Sequence, residues 1–407
     1  MSETTLSQRA PSAPVPGFSF DKGPAAVTAI LFVIVAVLIA QAVDIHQAVL
    51  YGLGGLLGIA LYHASFGFTG GWRRFSVEKR GRAMRAQLLM IGVAAAAFIP
   101  LLAIGAPLGT PIVGAVAPVG VSVLVGAFMF GLGMQLGGGC GSGTLFTVGG
   151  GSARMLLTLA FFIIGAVIGT AHLPMWLELP SMPPISLGTE FGIWGGLGVT
   201  FAGLVLIALI TVWVEKRAHG SIEAAPVAPR AGFARLLHGP WPMVGTGVLL
   251  AGLNVATLLS AGHPWSITFG FGLWGAKIAQ GIGIPVETWE FWNWAGPAKA
   301  LSNSVLADNT SVMNFGIVIG AALAASLAGK FAPKVKVPFA SLLAAAIGGI
   351  LMGYGARLAF GCNIGAFFSG IASGSVHGWL WFVAAFAGSW IGIALRPVFG
   401  MDGFKKS

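Results

Sequence analysis

The only two cysteines of this 407-residue chain, Cys140 and Cys362, occupy equivalent positions of an internal repeat. Residues 126–146 and 348–368 align without a gap, and eight of the 21 aligned positions are identical, the two cysteines among them. Two cysteines are unlikely to fall on equivalent repeat positions by accident. The repeat therefore predicts a functional role for both thiols.

Glycines surround both thiols, and this pattern predicts a path for a small sulfur-containing anion. Glycine leaves a thiol uncrowded and lets backbone N–H groups point into one space, an arrangement that binds anions. A neutral thiol does not repel an anion and offers a weak S–H donor. The predicted substrate-path residues are the thiols, their neighbours and one cation on the preceding span: Cys140, Cys362, Gly139, Gly143, Gly361, Gly365, Asn363, Ser142, Thr144 and Arg357.

Other interpretations of these residues remain open. Cysteine is also a small apolar filler of protein cores, and a cation near a span end such as Arg357 can extend to the membrane interface. Two thiols without nearby His, Asp or Glu fall short of the usual zinc ligand set, so no metal or cofactor is predicted. A membrane thiol oxidoreductase is the alternative from another class, although the chain has no CxxC motif. A channel for another small anion, in which the thiols only narrow the pore, is a third.

The composition is that of a membrane protein. The chain is 56% hydrophobic and 8% charged, against about 25% charged residues in soluble domains. Residues 86–153 contain no acidic or basic side chain, a length that two passes through a bilayer explain. We predict an all-α membrane protein with about nine transmembrane helices. The other predicted spans are residues 25–43, 49–66, 155–171, 191–214, 243–260, 311–327, 338–355 and 377–395.

The net charge of +10 comes from short basic runs between the spans, which does not indicate nucleic-acid binding. The positive-inside rule explains such runs and predicts that both termini are cytoplasmic. The basic runs include Arg73 to Arg85, Lys216, Arg217, Arg230, Arg235, Lys330, Lys334, Lys336, Lys405 and Lys406. The predicted organisation is a disordered leader (1–23), a first membrane half (24–214), a cytoplasmic linker (215–241) and a second membrane half (242–407).

With the basic runs inside, the spans before Cys140 and Cys362 cross the membrane in opposite directions. This predicts an inverted-topology repeat, a recurrent plan of transporters. Residues 137–151 and 361–374 are predicted re-entrant loops rather than helix interiors, because each glycine costs a helix about 1 kcal/mol. Residues 265–283 are also predicted to enter and leave on one face.

Two further patterns have mainly structural interpretations. A GxxxGxAL pattern occurs at residues 54–61 and 316–323. Its repetition is explained either by chance or by small-residue helix packing. Tryptophans near span ends are predicted to form an interfacial belt. They are Trp289, Trp292, Trp294, Trp379 and Trp381.

The two cysteine motifs resemble the YeeE/YedE family of bacterial inner-membrane sulfur-transport proteins. The matching segments are GLGMQLGGGCGSGTLF at residues 131–146 and GYGARLAFGCNIGAFFSGIASGSVHGWLWF at residues 353–382. The resemblance implies an hourglass-like monomer of inverted repeats in the inner membrane, uptake of thiosulfate or a related sulfur compound, and cooperation with a TusA-like sulfur carrier. The best-known thiosulfate-uptake members use three cysteines. Only two are matched here, which leaves other sulfur or selenium species open.

We predict a transporter rather than an enzyme. An anion passes from an outer vestibule to Cys362 and then to Cys140, held at each thiol by S–H···S hydrogen bonds. Weak binding at several sites suits conduction, because an ion held too tightly does not leave. Inversion also predicts that the two loops lie toward opposite faces, too far apart for a disulfide.

Overall fold

The computed structural model describes residues 21–226, 232–331 and 337–404, and these are mostly helical. In chain order, helices α1 to α17 are Lys22–Ala42, Ile45–Ala64, Phe68–Glu78, Arg82–Ile104, Val121–Gly137, Gly141–Gly149, Ala153–Leu177, Leu187–His219, Gly232–His238, Met243–Ala261, Thr268–Gly281, Glu290–Asn293, Ala295–Ser302, Asn309–Leu327, Phe339–Leu358, Ser369–Ala372 and Val376–Leu395. A π-helical segment, Asn363–Phe368, precedes α16. Strands β1 (Val119–Gly120) and β2 (Ser181–Met182) pair antiparallel.

Several predictions fall on residues outside the described ranges. These are the leader up to residue 20 and the basic residues Arg230, Lys334, Lys336, Lys405 and Lys406. The predicted leader ran to residue 23, whereas α1 already begins at Lys22.

The described part of the chain contains ten helical stretches long and apolar enough to cross a membrane, close to the nine predicted. Outer helices such as α1 and α8 leave most of their apolar side chains exposed, as contact with lipid requires. The helices α3 and α11 are short, and α11 is not among the ten candidate spans. The protein is therefore an all-α membrane protein with short helices among its long ones.

Glycines let α2 and α14 pack backbone against backbone. Gly54 of α2 lies against the backbone of Met313, and one turn later Gly58 lies against Ile317. A side chain at either glycine would overlap the opposite helix. Gly316 of α14 meets α2 in the same way. The residue order shows that the two helices run parallel, and it explains the shared GxxxGxAL pattern as small-residue packing.

The two helices that lead to the cysteines, α5 and α15, cross at the centre in opposite directions. Gly126 near the start of α5 lies against Gly355 near the end of α15, while Gly133 lies against Gly348. In addition, α5 packs on α17 and α15 packs on α7. These matched contacts are what a duplicated unit produces, and opposite directions are what inversion requires. Inversion with respect to the membrane itself remains a prediction.

The aromatic core lies beside the cysteine loops. The ring of Phe367 stacks on Trp381 with centroids 6.2 Å apart, and Trp72 of α3 meets Phe367 edge-on at 5.8 Å. Phe68, in the first turn of α3, meets Phe367 at 5.9 Å. Such ring pairs contribute about 0.5–1.5 kcal/mol beyond their buried area. They fix α3 and α17 against the Cys362 loop.

Two of the basic segments meet on one side of the molecule through Glu215, near the end of α8. Its wholly buried carboxylate lies 2.7 Å from Arg85 and 3.4 Å from Arg80. Nearby, Glu223 pairs with Arg74 at 2.9 Å. The loop before α4 and the linker after α8 therefore share a face, as the positive-inside assignment requires. Which face is cytoplasmic remains a prediction.

Candidate functional site

Each cysteine is the residue immediately before a short helix, and the backbone is nearly the same at both. Cys140 precedes α6 with φ and ψ of −82° and −168°. Cys362 precedes the π-helical segment with φ and ψ of −103° and −166°. The repeated sequence therefore produces a repeated backbone conformation at both thiols.

The glycine-rich stretches after α5 and α15 are helical soon after each cysteine, so the prediction that they avoid helix is wrong. Close packing explains the difference. A Cβ at Gly141 would lie 3.1 Å from the sulfur of Cys362, and one at Gly149 would overlap the backbone of Val318. Here the contacts that glycine permits outweigh its low helix propensity.

The two cysteine loops meet in the core of the protein. Gly141, which follows Cys140, lies against the sulfur of Cys362. Both cysteines are wholly buried and neither is in a disulfide. The expectation that the loops lie apart, toward opposite faces, is wrong, because the chain turns back into the core after α5 and after α15 and places both cysteines there.

Backbone and hydroxyl groups surround each thiol. The sulfur of Cys140 lies 3.5 Å from Oγ of Ser142, and the backbone N–H groups of Gly143 and Phe68 face it. The N–H of Ile364 donates to the sulfur of Cys362 at 3.4 Å. Each sulfur is thus held by hydrogen-bonding groups of its own loop, and α3 adds one more at Cys140.

The helices α3 and α11 also begin beside the thiols. Phe68 is the first residue of α3. The residue before α11, Ile267, would be 3.4 Å from a Cβ at Gly141, and Ser266 would be 3.4 Å from one at Gly365. The N-termini of four short helical segments therefore lie around the two cysteine loops. A helix N-terminus carries a partial positive charge, so the centre favours an anion.

One side-chain amide from each half holds the start of these short helices. Gln87 of α4 donates through Nε2 to the carbonyl of Gly67 at 3.3 Å, just before α3. Asn314 of α14 donates through Nδ2 to the carbonyl of Ile267 at 2.9 Å, just before α11. Sequence analysis missed both residues. The available signal was an amide inside an otherwise apolar span.

The four predicted glycines divide into two kinds. A Cβ at Gly143 would meet only the sulfur of Cys140, at 3.5 Å, and a Cβ at Gly365 would meet only Ser266. These two glycines border open space near the thiols. By contrast, a Cβ at Gly139 would lie 3.1 Å from the backbone of α6, and one at Gly361 would lie 2.8 Å from the backbone nitrogen of residue 366. Gly139 and Gly361 allow the chain to turn closely onto its following helix.

The remaining predicted polar residues lie at different places. Asn363 is wholly buried, and neither its oxygen nor its nitrogen has a hydrogen-bond partner in the described part of the chain. The same holds for the hydroxyl of Thr144. Buried polar atoms are normally bonded, so these groups are available to a small polar ligand. Arg357 lies away from the thiols, against α11 and α12.

Two of the tryptophans predicted for the interfacial belt are buried instead. Trp381 has no exposed surface and donates through Nε1 to the carbonyl of Gly361 at 3.2 Å, beside Cys362. Trp292 is 1% exposed and packs among the aromatic rings of α12. The position of a tryptophan near a span end did not distinguish an interfacial residue from a buried one. Helix packing decides which side of α17 faces the core.

The described residues contain no group of three or more His, Cys, Asp or Glu side chains suited to a metal ion. The polar centre is built from thiols, hydroxyls, amides and backbone N–H groups. The fold and this centre define a multi-pass helical membrane protein with a small polar site buried at its core.

Comparison with known proteins assigns the chain to a family. The model of the sulphur transport family matches residues 63–391, so the chain belongs to this family. It is 28% identical over 350 residues to the thiosulfate transporter TsuA of Escherichia coli (strain K12), covering 83% of this chain and 91% of that protein. It is 26% identical over 352 residues to TsuA of Spirochaeta thermophila, covering 83% and 95%.

A shorter match is to the probable transporter YedE of Escherichia coli (strain K12), at 35% identity over 140 residues, which is 34% of each chain. The resemblance of the cysteine motifs to the YeeE/YedE family is therefore confirmed.

Proposed function

We propose that this protein carries thiosulfate, or a closely related sulfur anion, across the bacterial inner membrane by way of Cys362 and Cys140. One observation carries the relay: the sulfur of Cys362 lies against Gly141, the residue after Cys140. An anion released by one thiol is thus already beside the other. The two relatives named as thiosulfate transporters match most of this chain and support the substrate.

In this proposal the two ends of the anion are recognised by different groups. The terminal sulfur accepts a weak S–H hydrogen bond from a thiol. The negative charge is stabilised by the converging N-termini of α3, α6, α11 and the π-helical segment. No covalent bond forms, so neither thiol is consumed and no electron acceptor is required.

In the described part of the chain, the groups that bond to the two sulfurs are a hydroxyl and backbone N–H groups rather than cations, which suits passage of an anion. Partial charges bind an anion more weakly than a full charge does, and weak binding at several sites permits release. The unpartnered groups of Asn363 and Thr144 supply further polar contacts at the two loops. The free-energy cost of leaving the Cys362 loop is then offset by contacts at the Cys140 loop.

The proposed direction is inward, from Cys362 to Cys140. The basic segments joined through Glu215 mark the proposed cytoplasmic face, in accordance with the positive-inside rule. Both termini then lie in the cytoplasm. There a TusA-like sulfur carrier would receive the product.

The test is uptake of radiolabelled thiosulfate, and growth on thiosulfate as sole sulfur source, in a bacterial host without its own thiosulfate uptake. We expect Cys140→Ala and Cys362→Ala each to abolish uptake, because either change removes one of two consecutive binding positions. Membrane protein levels should match the wild type. Gly52→Ala is a suitable control, because a Cβ at Gly52 meets no neighbouring atom within 4 Å. Full uptake by either cysteine variant would contradict the relay.

The thiol oxidoreductase is a second candidate, because the two cysteine loops are in contact. It requires that Cys140 and Cys362 form a disulfide during turnover. Treatment with a mild oxidant followed by non-reducing electrophoresis separates the two functions. An oxidant-dependent mobility shift that is lost in each single cysteine variant, together with unimpaired uptake in those variants, would favour the oxidoreductase.

A further inference from the structure

A half-buried arginine whose Nε and Nη2 atoms are inaccessible lies outside the thiol centre, at the end of α15. The guanidinium carbon of Arg357 lies 4.7 Å from the ring centroid of Phe291 and 5.8 Å from that of Phe269. Glycines make room for this side chain. Gly169 of α7 faces its Cβ, and Gly272 of α11 lies so close to Nη2 that an added methyl group would overlap it.

This guanidinium has donors without acceptors. Nε and Nη2 of Arg357 are both buried, and neither has a hydrogen-bond partner among the described residues. The ion pairs found in the same residues do not include it. Aromatic faces attract a cation by only about 0.5–2 kcal/mol, whereas each buried donor left without an acceptor costs about 1–3 kcal/mol, and more on a charged group. Inside a membrane protein such a cation is typically functional.

We propose that Arg357 is an anion-binding site separate from the two thiols, which captures a tetrahedral sulfur oxyanion before it reaches Cys362. This inference rests on the proposed transport of a sulfur anion. Nε and Nη2 point from the same edge of the guanidinium plane. That edge matches two oxygens of one oxyanion, the bidentate geometry in which arginine binds phosphate and carboxylate.

The repeat shows that the site belongs to one half only. The position equivalent to Arg357 in the first half is Gln135. Its Nε2 already donates to the carbonyl of Thr69 at 3.2 Å and to the hydroxyl of Ser389 at 2.8 Å. The first half therefore offers a neutral amide whose donor is already bonded, where the second half offers a cation with two unpartnered donors. The capture site lies on the predicted outer side, where an incoming anion arrives.

Sulfate is the probe that isolates this site, because it has the oxygens of thiosulfate and lacks the terminal sulfur that a thiol would bind. The experiment uses the purified full chain in detergent at low ionic strength. Isothermal titration calorimetry is performed with the Cys140→Ala/Cys362→Ala variant and with the same variant carrying Arg357→Gln. We expect the first to bind sulfate and the second to bind it about 10- to 100-fold more weakly, the range for losing charged hydrogen bonds. Arg357→Lys should fall between them.

A matched control is Arg154 of α7, another half-buried arginine, whose Nε, Nη1 and Nη2 are all hydrogen-bonded. It donates to the carbonyls of Gly137 at 2.6 Å and Leu136 at 2.7 Å. We expect Arg154→Gln to lower the melting temperature and leave sulfate affinity unchanged. Arg357→Gln should instead weaken sulfate binding without lowering the melting temperature, since it removes a cation whose Nε and Nη2 have no partner among the described residues.

An unchanged sulfate affinity in Arg357→Gln overturns the proposal, and a lowered melting temperature with unchanged affinity would assign Arg357 a structural role. Should Arg357→Gln not fold, Gly272→Ala serves instead, because its methyl group displaces Nη2. The same weakening of sulfate binding is then expected, and unchanged affinity again overturns the proposal. Failure of thiosulfate uptake by the wild type refutes the proposed transport separately, because the sulfate affinity is measured on purified protein and does not depend on uptake.

Discussion

The two cysteine loops have the same backbone conformation at the cysteine but different neighbouring side chains. The chain adopts the same extended conformation at Cys140 and at Cys362. The next residue is Gly141 in one loop and Asn363 in the other. The first loop continues as a regular α-helix, α6, and the second as a π-helical segment. The duplication has therefore retained the placement of the thiols, while the groups that a passing anion meets next to them have diverged.

The loops are also anchored by different groups. The hydroxyl of Thr158 donates to the carbonyl of Gly137 at 3.2 Å before the first thiol. Trp381, at the equivalent place in α17, donates to the carbonyl of Gly361 at 3.2 Å before the second. Both anchors come from the helix that follows the loop. A common requirement, a fixed carbonyl close to the thiol, has been met by Thr158 together with Arg154 in one half and by Trp381 in the other.

The largest expected effects are at the glycines that border open space near the thiols. We expect Gly143→Val and Gly365→Val each to abolish thiosulfate uptake, because their side chains would occupy the space beside Cys140 and Ser266. Gly143→Ala and Gly365→Ala should reduce uptake without loss of stability. Uptake is measured with radiolabelled thiosulfate at matched protein levels.

Gly52→Ala is again the control, because it changes a helical glycine that lies away from the proposed path. Wild-type uptake in both valine variants would show that the anion does not pass these loops. If only one of the two variants lost uptake, the functional equivalence of the loops would be refuted.

A smaller, structural difference is expected at the glycines that turn onto each following helix. Gly361 has a φ of 149°, and a Cβ there meets backbone. The strain of such a conformation costs about 1–3 kcal/mol, so Gly361→Ala should lower the melting temperature. Gly139→Ala should lower it less, because the nearest atom is the flexible end of Met155. Thermal denaturation of the purified variants measures both, and equal losses would contradict this difference.

The smallest effects are expected at the two anchors. Trp381→Phe keeps an aromatic ring and removes the hydrogen bond to Gly361, which is worth about 1 kcal/mol. Thr158→Val removes the bond to Gly137 and keeps the side-chain shape, so a similar loss is expected. Denaturant titration provides the measurement. A stability change only at Trp381 would show that Arg154, which also donates to the carbonyl of Gly137, fixes the Cys140 loop without Thr158.

Much of the architecture was predictable because it depends on composition. The long uncharged stretch of residues 86–153 and the scarcity of charge indicated a helical membrane protein, because helices satisfy their own backbone within lipid, whereas barrel strands alternate apolar and polar residues. The family was predictable from the sequence around Cys140 and Cys362. The close contact of α2 and α14 was one of two interpretations of a repeated glycine pattern, and the structure selects it.

Parts of the candidate site were not predictable, because they depend on which helix faces meet. Trp381 was assigned to an interfacial belt, yet it lies against Gly361 in the core. Gln87 and Asn314 had no local pattern that distinguished them from other polar residues in spans. Their partners lie in different helices, and only the packing of those helices identifies the carbonyls they bond.

The sequence alone determined that this chain spans a membrane, that it contains a duplicated unit, and that Cys140 and Cys362 are equivalent. These properties depend on hydrophobicity and on residue order, which the chain carries in any conformation. The tertiary structure decided that the two thiol loops touch, that they continue as helices, and that the donors of Arg357 lack a partner. Each of these depends on contacts between segments far apart in the chain, such as Gly141 with Cys362 and Arg357 with α11 and α12. Distances between residues far apart in the chain are set by helix packing, which no local sequence pattern specifies.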